Sequence, residues 1–128
     1  MAVATAYGDD LNALLNTFLQ DEGFEVTAIK GLAMTDVIGV ETVPPERLIN
    51  LARDVFAQDF SAQGVLISCA GLKTLGVIDL LEAILDVPVV SSSPAGFWDV
   101  VQLLCVDPTA NNGGRLFRML ADNADASI

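Results

Sequence analysis

The chain has 128 residues, 52% of them hydrophobic, and a formal net charge of −11 from 17 acidic against 6 basic residues. That length suits one domain able to bury a core without disulfides or metals, and no apolar run approaches the roughly 20 residues that cross a bilayer, so the hydrophobic content predicts a buried sheet and no membrane span. The acidic balance argues against nucleic acid and anionic membranes as partners, since both need clustered Lys or Arg. The opening Met1-Ala2-Val3-Ala4 lacks the basic start of a secretory signal, which predicts a cytoplasmic protein with Cys69 and Cys105 as free thiols.

Ala2 to Ala6 reads as a first strand entering a loop at Tyr7-Gly8, with Asp9 or Asp10 capping the helix that follows. Leu11, Leu14, Leu15, Phe18 and Leu19 form its apolar face, and Gly23 is placed to end it. Phe24 to Ile29 alternates and predicts a second strand. Lys30 to Thr42 carries a weak pattern and is expected to be a long loop holding a helical turn, a kind of connection that is often functional. Pro44-Pro45 opens a helix whose inward face is Leu48, Ile49, Ala52, Val55 and Phe56, ending near Gln58.

The stretch from Gly64 to Ser93 is a strand-helix-strand unit. Val65-Leu66-Ile67 is a short apolar run, Leu75, Ile78, Leu81 and Leu85 recur at helical spacing, and Val87 to Val90 returns as a fourth strand. Ser93 is expected as the N-cap of a last long helix with Pro94 at its first position and Phe97, Val100, Val101 and Leu104 along it. Cys105 falls late on the apolar side of that helix and reads as core. Asp107 to Gly114 is a loop, Arg115 to about Ala121 a short helix, and Asp122 to Ile128 a frayed end. Four strands alternating with helices predict a three-layer α/β sandwich: a central, mainly parallel four-stranded sheet with helices on both faces, in a single domain over residues 1–106 followed by a tail over 107–128.

Absences narrow the chemistry. With no histidine, the chain has no Ser-His-Asp or Cys-His arrangement of its own. With no CxxC pair, GxGxxG or GxxxxGK[ST] pattern, neither a zinc site of the usual kind nor a nucleotide site is expected. Cys69 stands out because ligands and catalytic groups gather on loops leaving the carboxyl ends of parallel strands. It precedes a helix whose free N–H groups and dipole favour a thiolate or a bound anion, and the small Ala70 and Gly71 allow close approach. A buried structural cysteine fits the same position equally well. Tyr7 occupies the equivalent place after the first strand, where its hydroxyl either serves that rim or simply caps a core edge. Thr5 shares that strand end, and Ser91 to Ser93 read as capping residues before an anion site. Lys73 reads as a solvated side chain.

The run LISCAGLKTLGVIDLLEAILDVPVVSSSPAGFWDVVQLL resembles the cysteine region of the arylmalonate decarboxylases, within the aspartate/glutamate racemase superfamily that also holds the maleate cis-trans isomerases, and VATAYGDDLNALL resembles the start of the second half of those enzymes. The resemblance implies two similar α/β domains facing across a cleft, with cofactor-independent proton transfer by cysteine. It implies that Cys69 protonates the enediolate left when a 2-substituted malonate loses carbon dioxide. Tyr7 matches the tyrosine of the dioxyanion hole, Ala70 and Gly71 match its backbone donors, and Val37 and Val40 fall where the family builds an apolar pocket for the departing carboxylate. Ala70 stands where the decarboxylases usually carry glycine and the isomerases often threonine.

Only the second half of such an enzyme is matched, which implies a small carboxylate substrate, no cofactor or metal, and a site completed by a homo-oligomer or by the missing first-half domain. A racemase or isomerase of small carboxylic acids is the alternative enzyme. An inactive fragment or interaction module that retains the fold is the alternative without catalysis. The tail from Arg115 is expected to be mobile or to dock on a neighbouring chain.

Overall fold

The computed structural model of the protein describes residues 1–105 and 113–125. Four strands, β1 (Ala2–Thr5), β2 (Ala28–Gly31), β3 (Val65–Ser68) and β4 (Val89–Ser91), form one sheet in the order β2-β1-β3-β4. All three pairings are parallel, with Thr5 opposite both Gly31 and Ser68, so the carboxyl ends of the three inner-register strands finish at one level. Six helices accompany them among the described residues: α1 (Asp9–Asp21), α2 (Val37–Val40), α3 (Pro45–Phe56), α4 (Leu75–Leu85), α5 (Ser92–Leu104) and α6 (Gly114–Asp125). The predicted α/β fold with a parallel four-stranded sheet is the fold observed.

The main core lies on one sheet face. Ala2, Ala4, Val65, Ile67 and Val89 meet Leu48, Ala52 and Val55 of α3 and Ile78 and Leu81 of α4 in one buried cluster. Right-handed crossovers carry α3 and α4 over that face and α1 over the other, where α5 packs on β3 and β4. The second layer is thin. Of the apolar face expected on α1, only Leu19 is buried, while Leu11, Leu14 and Phe18 are exposed. On α5 only Val101 of the expected residues is buried, and Phe97, Val100 and Leu104 face outward.

Boundaries moved for local reasons. The second strand begins at Ala28 instead of Phe24, because Gly23 at φ 87° turns the chain while its N–H donates to the Gln20 carbonyl and the Phe24 N–H to that of Leu19. This is a Schellman closure, and it uses up the residues expected to start the ladder. The helical turn expected in the long loop is α2, whose N-cap Asp36 accepts the Ile38 N–H. The N-cap of α5 is Ser91 instead of Ser93. The serines are occupied elsewhere: Thr74 donates to the Ser91 hydroxyl at 2.8 Å and Ser93 donates to the Ala70 carbonyl at 3.1 Å.

Cys105 is not core. It forms the left-handed C-cap of α5 at φ 52° and is exposed, while both cysteines are free thiols.

The C-terminal segment also departs from expectation. Helix α6 packs against α4 and α5 of its own chain, and it extends through Asp125, into the stretch expected to be frayed. Buried Glu82 of α4 holds it there, accepting the Arg115 N–H at 2.8 Å, an Arg118 guanidinium N–H at 3.0 Å and, on its other oxygen, the Val89 N–H at 3.0 Å. The loop expected over Asp107 to Gly114 lies outside the described residues except for its last two glycines, as do residues 126–128.

Candidate active site

The parallel register of β1 and β3 places Thr5 beside Ser68, so the loops that leave these strands, Tyr7-Gly8 and Cys69-Ala70-Gly71, emerge side by side. The Tyr7 hydroxyl comes within 3.4 Å of the Ser68 hydroxyl, the residue next to Cys69. Cys69 is half-buried and packs against the edge of the main core. Its carbonyl accepts the Leu72 N–H at 3.2 Å, which folds residues 69–72 into a tight turn. Helix α4 therefore starts only at Leu75, with Thr74 as its N-cap. A helix dipole acts within about its first turn, so the expected direct support of Cys69 by this helix end is not what the geometry provides.

Gly71 lies under the long loop after β2. A β-carbon placed on it would stand 3.0 Å from Val40 Cγ1. Val40 is buried and Val37 is exposed one turn earlier, so the two valines share α2 but only Val40 touches the cysteine turn. That loop is fixed to the Tyr7 strand end: the Leu32, Ala33 and Met34 N–H groups donate to the carbonyls of Thr5, Tyr7 and Ala6.

Tyr7 is set by a buried polar pair absent from the sequence reading. The Thr5 hydroxyl donates to Asn12 Oδ1 at 2.6 Å and accepts the Tyr7 N–H at 3.1 Å. Thr5 is wholly inaccessible and Asn12 nearly so. Ser68 was missed as well; its signal was period two, since the residue before a strand-end cysteine points to the opposite face. Asp59, in the linker before β3, has its carboxyl held below the ordinary value by the Ser61 hydroxyl and then the Ser61 N–H. It belongs to the other end of the strand. Among the described residues no group of three or more His, Cys, Asp or Glu could hold a metal ion, and no helix is long and apolar enough to cross a membrane.

A cavity of 470 Å³ adjoins the cysteine turn without including Cys69 or Tyr7. Leu72, Thr74, Leu75, Pro94 and Phe97 line it, with Lys73 beside them.

A family model of arylmalonate decarboxylase matches residues 1–117. The chain belongs to the arylmalonate decarboxylase family. It is 44% identical over 118 residues to the arylmalonate decarboxylase of Bordetella bronchiseptica, covering 91% of this chain and 49% of that protein. A maleate isomerase of Nocardia farcinica is 25% identical over 92% of this chain and 47% of its own length. Among solved structures, a mutant arylmalonate decarboxylase in its liganded form superposes with a TM-score of 0.82 at 41% identity, over 91% of this chain and 50% of that one. A mutant Nocardia farcinica maleate cis-trans isomerase with a covalently bound succinylcysteine intermediate gives 0.83 at 26% identity, over 92% and 48%. The chain thus spans about half the length of the curated relatives it matches.

Proposed function

We propose that this chain supplies the cysteine-bearing half of a cofactor-independent decarboxylase acting on 2-substituted malonates. The observation that carries the reading is the pairing of two strand ends: Cys69 leaves β3 where Tyr7 leaves β1, and the hydroxyl beside Cys69 stands 3.4 Å from that of Tyr7. In this reading the bond between the malonate carbon and one carboxylate breaks, carbon dioxide departs, and the electron pair remains as an enediolate. The Tyr7 hydroxyl and the Ala70 and Gly71 N–H groups hold the developing negative charge. The Cys69 thiol then gives its proton to the carbon, and the thiolate recovers one from water. Val40 offers apolar surface against the turn, with Val37 one turn earlier on the same helix, and a carboxylate poor in hydration there would lose carbon dioxide more readily.

The opposite wall of the cleft comes from the other half of the family's chain length or from a second copy. The test is carbon dioxide release from phenylmalonate with and without the remaining half of the Bordetella bronchiseptica relative. Turnover that Cys69→Ala abolishes while the protein stays folded is the expected result, and no turnover above buffer in either case would sink the assignment.

The maleate isomerase likeness gives a second reading, favoured by the succinylcysteine found in one such structure. Conversion of maleate to fumarate under the same conditions, with phenylmalonate untouched, would replace the first reading by this one.

A further inference from the structure

We propose that the 470 Å³ cavity beside the cysteine turn is a small-molecule site of its own, taking the anion of a monocarboxylic acid with a compact apolar body, aryl or alkyl. Neither Cys69 nor Tyr7 lines it, and the inference stands whether or not the malonate reading holds.

The cavity lies where three helices begin. Pro45 opens α3, Leu75 and Gly76 open α4, and Pro94 sits in the first turn of α5. Its surface is almost wholly apolar, and its volume falls within the range of about 300–1,000 Å³ common for small-ligand sites. The walls are fixed by the chain's own packing. Leu72 and Pro94 are buried. The Phe97 ring stacks on Phe117 of α6, with centroids 6.2 Å apart and 24° between the planes, and Phe117 is itself buried. A wall held this way needs little ordering when a ligand enters, which favours binding.

The polar groups of the rim select the ligand's charge. The Thr74 hydroxyl donates to Ser91 and the Ser93 hydroxyl to the Ala70 carbonyl, so both lining hydroxyl protons are already spent. Lys73 is the one charged residue of the lining, is exposed, and makes no ion pair among the described residues. That is notable on a chain of net charge −11. Thr74, the N-cap of α4, makes no side-chain bond to the first turn, so the positive end of this helix adds to the field of Lys73. An ammonium at the mouth of an apolar cavity suits a ligand whose body is buried and whose single negative charge stays near water. A second negative charge would find no cation and would lose its hydration against leucine and phenylalanine.

NMR titration of the isotope-labelled full chain with 4-phenylbutyrate and with octanoate tests this and tells an aryl body from an alkyl one. Saturable binding of at least one is expected, with a Kd at or below about 1 mM and with shifts centred on Leu72, Leu75 and Phe97. Leu75→Asp should weaken it roughly tenfold or more, because the wall gains a charge of the wrong sign. An acidic residue at the first helical position suits the helix dipole, so its thermal melt should match the parent. Gly76→Leu should weaken binding by bulk, since a β-carbon there meets nothing within 4 Å. Lys73→Gln should cost about two- to fivefold, the worth of an exposed ion pair, and should leave the weaker binding of 4-phenylbutan-1-ol unchanged. No saturation by about 10 mM would overturn the proposal. So would affinity indifferent to both Leu75→Asp and Gly76→Leu, equal affinity for the acid and the alcohol, or shifts centred on Tyr7 with binding lost in Cys69→Ala.

Discussion

Thr5 and Asn12 share a 2.6 Å hydrogen bond in a buried place against Gly31 of β2, and the same Thr5 oxygen accepts the Tyr7 N–H. One turn of α1 is thereby tied to the end of β1 at the residue where the chain leaves toward the site. A buried hydroxyl is costly unless satisfied, and a satisfied one fixes geometry. The pair is thus the scaffold of Tyr7, and Thr5 is not itself a site residue.

Replacing Asn12 by Leu should leave the Thr5 hydroxyl without its acceptor and lower stability by about 1–3 kcal/mol. The double change Thr5→Val with Asn12→Leu should cost less than the two single changes added together, because it removes both partners. Urea unfolding of the four proteins measures this directly, and strict additivity would show that the bond does not couple the two residues.

The strands were legible because a parallel strand buried on both faces is a short apolar run, and Val65-Leu66-Ile67 and Val87 to Val90 are such runs. Their alternation with helices predicts a parallel sheet, and the pairings are parallel; the strand order was not legible. What periodicity does not carry is the direction a helix faces once it is laid down. The stripe Leu11, Leu14, Phe18 is a real apolar face, yet the sheet receives Asn12 and Leu19. Nor does local pattern reveal pairs made across the chain. Asn12 finds Thr5 through the β1-α1 turn, and Glu82 finds Arg115 33 residues later, so both looked like ordinary surface polar residues. The cysteine turn was legible in place but not in detail, since the Leu72 N–H to Cys69 carbonyl bond delays the helix that was expected to support Cys69.

Glu82 is expected to govern the attachment of α6. It is 4% exposed and accepts backbone N–H groups from β4 and α6 together with the Arg118 guanidinium. Glu82→Ala removes all three acceptor contacts and leaves two buried N–H groups unpaired, at roughly 1–3 kcal/mol for each group lost. The solvent exposure of Arg118 limits its own share. Hydrogen exchange should show the α6 amides opening before the α3 and α4 amides in this variant. Equal protection of α6 in parent and variant would mean that the clamp does not hold it.

Arg118→Ala gives the matching control. Its side chain is 63% exposed and bridges Asp79 and Glu82, so the change should cost no more than about 1 kcal/mol, well below Glu82→Ala. A loss as large as that of Glu82→Ala would place the energy in the ion pairs and not in the backbone bonds to the carboxylate.

Two glycines should respond in opposite directions to the same substitution. A β-carbon on Gly31 would lie 2.0 Å from the Tyr7 carbonyl oxygen and 2.8 Å from the Thr5 hydroxyl, and a backbone oxygen has little room to yield. Gly31→Ala must therefore push β2 away from the β1 end, disturbing the Leu32 and Ala33 bonds that hold the long loop, with a loss of about 1–3 kcal/mol or more. Gly96 sits inside α5 with nothing within 4 Å of its added β-carbon. There alanine restricts the unfolded chain and favours the helix, a gain of about 0.5–1 kcal/mol. Thermal melts on the two variants separate these effects. If Gly31→Ala melts with the parent, the close approach of β2 to the Tyr7 carbonyl is not a constraint on the site; if Gly96→Ala lowers the melting temperature, that face of α5 is covered by something the isolated chain already binds.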